Sequence, residues 1–148
     1  MKTPIEQSLG FSIHDVARLL RYSFDRQSQK IGMSRALWSV LAHLHREDGM
    51  QQSVLARAMD ITPITLARHL DKLEKEGWIE RRSDPSDRRV KHIFLKAKAD
   101  PVIEQLTELS QDIKSQALQG ISRKEEKLFM DVLSRMRENL NTSDSPHR

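Results

Sequence analysis

The chain has 148 residues, no cysteine, and 25 lysines and arginines against 21 aspartates and glutamates, a formal net charge of +4. The lack of cysteine excludes disulfides, thiolate metal sites and thiol redox switching, and makes a reducing cytoplasm the expected setting. No apolar run approaches the roughly 18 residues that span a bilayer, and Met1 to Gly10 lacks the basic-then-apolar layout of a secretory signal, so no membrane contact is expected.

Taken in chain order, Val16, Leu19, Leu20 and Ser23 have helical spacing and predict a first helix from Ser12 to Gln29, ended by Gly32. Ser34 is placed to cap a second helix, in which Leu37, Trp38, Leu41 and Leu44 recur at steps of three and four until Asp48-Gly49. A short third helix follows over Gln52 to Met59. After the turn Asp60-Ile61-Thr62, the pair Thr62-Pro63 signals a helix start, because a threonine cap followed by proline sacrifices no needed donor. Leu66, Leu70 and Leu73 then mark the buried stripe of a fourth helix, stopped at Gly77. Trp78-Ile79 leads into a strand, Asp84-Pro85 opens a loop, and Val90 to Leu95 returns as a second strand. A fifth helix carries Val102, Ile103, Leu106, Leu109, Ile113 and Leu118. Gly120 interrupts it, and Ser122-Arg123-Lys124-Glu125 is a capping box for a sixth helix lined by Leu128, Phe129, Val132, Leu133, Met136 and Leu140. The tail from Asn141 to Arg148 is polar, contains Pro146 and is expected to fray. The fold class expected is mainly α with a small β-wing: a winged helix-turn-helix over residues 34–98, with residues 1–33 and 99–148 forming a helical dimerisation region.

Charge is concentrated on the hairpin. From Ile79 to Lys98, seven basic residues (Arg81, Arg82, Arg88, Arg89, Lys91, Lys96, Lys98) stand against three acidic ones (Glu80, Asp84, Asp87), a local excess equal to the net charge of the whole chain. Such a stripe beside a helix-turn-helix fits a phosphate backbone. With the leucines of the fourth helix turned inward, Thr65, Arg68 and Lys72 share the opposite face, flanked by Ile64 and His69. Arg68 is the candidate base reader, since a guanidinium pairs with both acceptors of a guanine edge; Ile64 or the methyl of Thr65 suits a thymine methyl, and Lys72 a phosphate. In the wing, Arg88 and Arg89 suit a narrow minor groove, and Asp87 is placed to hold Arg89 in one orientation. Thr62, Ile64, Thr65, Arg68, His69 and Lys72, with Arg81, Asp87, Arg88 and Arg89, are therefore the candidate DNA-binding residues. A solvated helix face and an ordinary charged turn are the competing readings.

The run Leu55-Ala56 to Met59, then Leu66, Arg68, Leu70-Asp71, Leu73-Glu74, Gly77, Ile79, Arg81 and Asp87-Arg88-Arg89, resembles the MarR family of bacterial transcription regulators, and within it the SlyA branch. Trp38, Lys98-Ala99 with Pro101, and Gly120-Ile121-Ser122 extend the likeness over almost the whole chain. The resemblance implies a dimer on an inverted-repeat operator, with Arg68 in the major groove and Asp87 and Arg89 in the wing. Thr62-Pro63-Ile64-Thr65 departs from the SlyA pattern, so the operator sequence does not carry over.

Phe11, Leu19, Phe129, Leu133 and Leu140 exceed what so small a module covers, which points to a symmetry mate. The resemblance also implies release from DNA by a small aromatic carboxylate or phenolic effector bound between dimer helices and DNA module. Arg18, Arg21, Tyr22 and Trp38 are the candidate effector residues, with Trp38 as plain core the competing reading. His43 and His45, two apart on a helix, point to different sides, and a zinc site would need His14 or distant carboxylates, so no metal or cofactor is expected. No nucleophile elbow or glycine-rich phosphate loop occurs, so no enzyme is expected. The readings from other classes are a winged-helix protein-interaction module and a metal-responsive regulator.

Overall fold

The computed structural model describes residues 4–141. The expected fraying of the tail concerns residues 142–148, outside this range. The first helix, α1 (Leu9–Ser28), starts three residues earlier than its periodicity indicates, because Ser8 takes the cap by accepting from the Phe11 N–H at 3.2 Å. A single 3-10 turn, Gln29–Ile31, closes at Gly32 in the left-handed region. Ser34 caps α2 (Arg35–Arg46) as expected, accepting from the Leu37 N–H at 3.2 Å, and Leu37, Val40, Leu41 and Leu44 are buried along it.

The two-residue strand β1 (Met50–Gln51) leads into α3 (Gln52–Ala58), and a turn in which Asp60 takes φ 54° leads to α4 (Pro63–Lys75). Aspartate tolerates this left-handed turn position better than most side chains. Thr62 caps α4 and Pro63 opens it, while Leu66, Leu70 and Leu73 are fully buried. Strands β2 (Ile79–Ser83) and β3 (Lys91–Leu95) pair antiparallel from Ile79 opposite Leu95 to Ser83 opposite Lys91. After another 3-10 turn come α5 (Asp100–Ala117) and α6 (Arg123–Asn141). The capping box at the start of α6 is complete: the Glu125 N–H donates to Ser122 Oγ at 3.1 Å, and the Ser122 N–H to Glu125 Oε2 at 2.8 Å.

The wing is three-stranded rather than the expected two-stranded hairpin. β1 adds to the outer edge of β3, giving the order β1-β3-β2, with Met50 opposite Ile93 and Gln51 opposite His92. Two residues carry too little alternation to read as a strand; the pairing is held by flanking bonds, from the Gly49 N–H to the Ile93 carbonyl at 2.9 Å and from the Leu95 N–H to Asp48 Oδ1 at 2.8 Å.

The chain forms two compact units, Met1–Ile113 and Lys114–Arg148. The core of the first gathers the leucines of α2, α3 and α4 with Ile79 and Ile93 of the sheet, and draws in Phe24 from α1 and Val102, Ile103 and Leu106 from α5. In the second, α6 leaves Leu128, Phe129, Met130 and Leu140 more than half exposed.

Gly49 gives a direct check on how β1 is held. It lies at φ 80°, and a β-carbon there would stand 2.9 Å from Phe94 Cε1. Gly49→Ala should therefore lower stability by about 1–3 kcal/mol, from left-handed strain plus displacement of the ring. Gly10, helical and with open space around its Cα, serves as the control: Gly10→Ala should raise stability by about 0.5–1 kcal/mol. Urea unfolding of both variants should show opposite shifts of the midpoint, and equal midpoints would refute this account of Gly49.

Candidate nucleic-acid interface

Burial of Leu66, Leu70 and Leu73 turns Thr65, Arg68 and Lys72 outward, and all three are exposed. The side chains of Arg68 and Lys72 make no hydrogen bond or ion pair among the described residues, so both cations are free for an external partner. Thr65 is tied back into the helix start: its N–H donates to Thr62 Oγ1 at 3.2 Å, and the Thr62 hydroxyl donates to Thr65 Oγ1 at 2.9 Å. Ile64, beside it, is 70% exposed, a position that leaves its apolar surface in water. His69 is half-buried and turns toward a cleft against α1 and α2.

Most of the hairpin's positive charge holds the hairpin together. Arg81 donates its N–H to Glu74 Oε2 at 2.9 Å, while its guanidinium reaches Glu74 Oε1 at 2.9 Å and Asp71 Oδ1 at 2.7 Å. The hydrogen bond from Arg81 holds the Glu74 carboxyl below the usual range and outweighs desolvation, which acts the other way. Arg81 is thus a strut between α4 and β2. Arg82 pairs with Glu80 and covers the Phe94 ring at 4.1 Å. Lys91 donates to Ser83 Oγ at 2.6 Å, and Lys98 closes the end of α4 by donating to the Glu76 carbonyl at 2.6 Å.

At the tip, the Asp84 N–H donates to the Val90 carbonyl at 2.8 Å, and the Val90 N–H to the Asp87 carbonyl at 3.0 Å. Asp87 Oδ1 accepts from the Arg89 N–H at 3.0 Å and from Nε at 3.1 Å, and Oδ2 accepts from the same guanidinium at 3.2 Å. These bonds to Arg89 lower the pKa of Asp87 and keep it ionised. The Arg89 side chain is 91% exposed yet held in one orientation, and Arg88 beside it is exposed and unpaired among the described residues. Sequence reasoning missed His92. Its ring spans from the Gly49 carbonyl, 3.0 Å from Nδ1, to Asp84 Oδ2, 2.8 Å from Nε2.

The four candidate effector residues do not all converge. Trp38 stacks on Phe24 with centroids 6.2 Å apart, over a cavity of about 350 Å³ whose lining includes Leu20, Arg21, Ser110 and Ile113. Arg21 also lines the larger cleft, about 820 Å³, with Asp25, Arg35, Met59, Ile61 and His69. Arg18 instead pairs with Asp15 at 2.6 Å, and Tyr22 is exposed with the Arg26 guanidinium 5.9 Å from its ring centre. Helical rotation explains the split: the face that carries Phe24 also carries Leu20 and Arg21, whereas Tyr22 lies about 200° round the helix from Phe24. His43 bonds the Ser39 carbonyl at 2.7 Å, and no group of three or more metal-ligating side chains converges among the described residues.

Among the described residues no helix is long and apolar enough to cross a membrane. Residues 33–91 match the family model described as MarR family. The crystal structure of transcriptional regulator PA3341 is 36% identical, with a TM-score of 0.82 over 92% of this chain and 100% of that one. That of the transcriptional regulator SlyA is 28% identical, with a TM-score of 0.76 over 87% and 91%. A mutant MarR from E. coli, solved in complex with operator DNA, is 21% identical, with a TM-score of 0.76 over 90% and 99%. The match to the family model and the 36% identity over 92% of the chain show that the chain belongs to the MarR family of winged-helix transcription regulators.

Proposed function

We propose that this protein acts as a homodimer on a palindromic operator, with α4 in the major groove and the wing tip in the flanking minor groove. The observation that carries this reading is that Arg68, free and exposed on α4, and Arg89, held ready by Asp87, are among the few cations of these two elements that the fold leaves available, with Lys72 and Arg88. A groove about 12 Å wide admits one helix, and the outward residues of its first turns reach deepest. Pre-ordering Arg89 reduces the side-chain entropy lost when it enters a narrow, strongly negative groove. Support against a protein-interaction role comes from the face itself: Ile64 is the one large apolar side chain exposed on α4.

The dimer is supported by apolar side chains without cover in a single chain, among them Leu9, Phe11, Val16 and Leu19 on α1 and Leu128 and Phe129 on α6. For regulation, the cleft bounded by Arg21, Arg35 and His69 suits a small aromatic carboxylate, with Arg21 its cationic partner. Of the four candidate effector residues Arg21 lines this cleft, while Trp38 lines the smaller cavity beside it and Arg18 and Tyr22 line neither.

Selection of bound sequences from a random duplex library at about physiological salt tests the proposal. An inverted repeat with half-site centres about 34 Å apart is expected; recovery of no motif, with binding that vanishes as salt rises, would reject it. On the recovered operator, Arg68→Ala should lose about 1–3 kcal/mol of specific binding while keeping much of the nonspecific affinity. Arg89→Ala should weaken binding to most sequences and flatten the salt slope by about one unit per wing. Asp87→Asn keeps the guanidinium charge, so it should weaken binding with little change of slope. Titrations at several salt concentrations separate the three outcomes.

A further inference from the structure

We propose that His92 is the positioning residue of the wing: a doubly protonated imidazolium that straps the loop 84–90 to the turn before β1, so that the wing tip loosens when one proton leaves. The argument is one of donors and acceptors. Nδ1 faces the Gly49 carbonyl at 3.0 Å and Nε2 faces the Asp84 carboxylate at 2.8 Å. A carbonyl and an ionised carboxylate only accept, whereas a neutral imidazole has one N–H and would turn a lone pair on one of them. Both bonds exist together only in the cation. Asp84 stays ionised because Ser86 donates to it from both its N–H and its hydroxyl, which, together with His92, holds its carboxyl far below the usual range.

The surroundings leave Asp84 as the charge that decides. Across the register His92 faces Arg82 on β2 and Gln51 on β1. Arg82 is a like charge, but it is paired with Glu80 and drawn over the Phe94 ring. Gln51 is neutral. On its own strand, Lys91 is engaged with Ser83, and in the turn before β1 the Asp48 carboxylate is occupied by the Leu95 N–H. The Gly49 carbonyl, first, and Asp84, second, raise the His92 pKa above its ordinary 6.5. The sign follows: the strap is fully made below about pH 6.5 and is lost as pH rises through the folded value. What it holds matters because Asp84 is the loop's first residue, and its N–H and side chain fix the segment that carries Arg88 and Arg89.

The test has two arms, of which only the second rests on the operator reading above. Nitrogen-15 NMR of the full-length protein, with His92→Gln used to assign the signal, should show the His92 ring titrating above 6.5, and Asp84→Asn should bring that midpoint down. Operator affinity at constant ionic strength should then fall about fivefold per half-site, the net worth of one ordinary hydrogen bond, between about pH 6.5 and about pH 9. In His92→Gln it should be lower throughout and flat over the same range. A ring that titrates at or below 6.5, a midpoint indifferent to Asp84→Asn, or an alkaline fall that persists in His92→Gln would each overturn the proposal. If library selection recovers no operator, the ring titration still decides whether the strap exists, so the two readings fail separately.

Discussion

Arg81 joins helix α4 to the hairpin that follows it. Four hydrogen bonds run from this residue to Glu74 and Asp71, and they include its backbone N–H as well as its guanidinium. Because Glu74 and Asp71 lie in the last two turns of α4 and Arg81 lies in β2, the bonds fix the angle at which the hairpin leaves the helix. The leucine stripe sets how deep α4 sits and which face it turns outward, but apolar contact is non-directional and does not by itself aim the hairpin. Charge-assisted, bidentate bonds supply the missing direction. A winged helix that engages two grooves at once needs that rigidity, since a small error at the junction becomes a large displacement at the wing tip.

The same economy governs the rest of the basic stripe. Arg81, Arg82, Lys91 and Lys98 are engaged by Glu74, Glu80, Ser83 and the end of α4. Arg88 and Arg89 are left at the tip, and Arg68 and Lys72 on the helix. Charge counted along the sequence therefore overstates what is offered to a phosphate backbone, and the placement of the free cations carries the information instead. This bears on salt dependence, because counterions are released only where a cation meets phosphate.

What the sequence made legible was local. Ser34, Thr62-Pro63 and the Ser122-Glu125 box announced their helix starts, because a cap is decided within three or four residues, and the stripe Leu66-Leu70-Leu73 told which side of α4 faces out. Asp87 and Arg89, two residues apart, were readable as a pair for the same reason. What escaped depends on residues far apart in the chain. β1 exists only through its pairing with β3, Arg81 finds its carboxylates on a different element, and His92 meets a carbonyl 43 positions away. Tyr22 and Arg18 were also grouped with Arg21 and Trp38; of the four, the latter two line the cavity under the Phe24–Trp38 stack.

The larger cleft has a property that decides what a ligand there can do. Its walls come from α1 and α2 on one side and from Met59, Ile61 and His69 of the helix-turn-helix on the other. A ligand seated in it touches both α1, which carries part of the uncovered apolar face, and α4, which carries Arg68. In the proposed dimer such a ligand would sense the position of α4 relative to α1, the quantity that would fix half-site spacing. Tight binding alone changes nothing; only a difference in affinity between spacings shifts the population, and a hundredfold change in operator affinity needs about 2.7 kcal/mol of such difference. Arg21 and His69, on opposite walls of the cleft, are where that difference would arise, because a carboxylate held between them shortens or lengthens its two contacts as α4 moves.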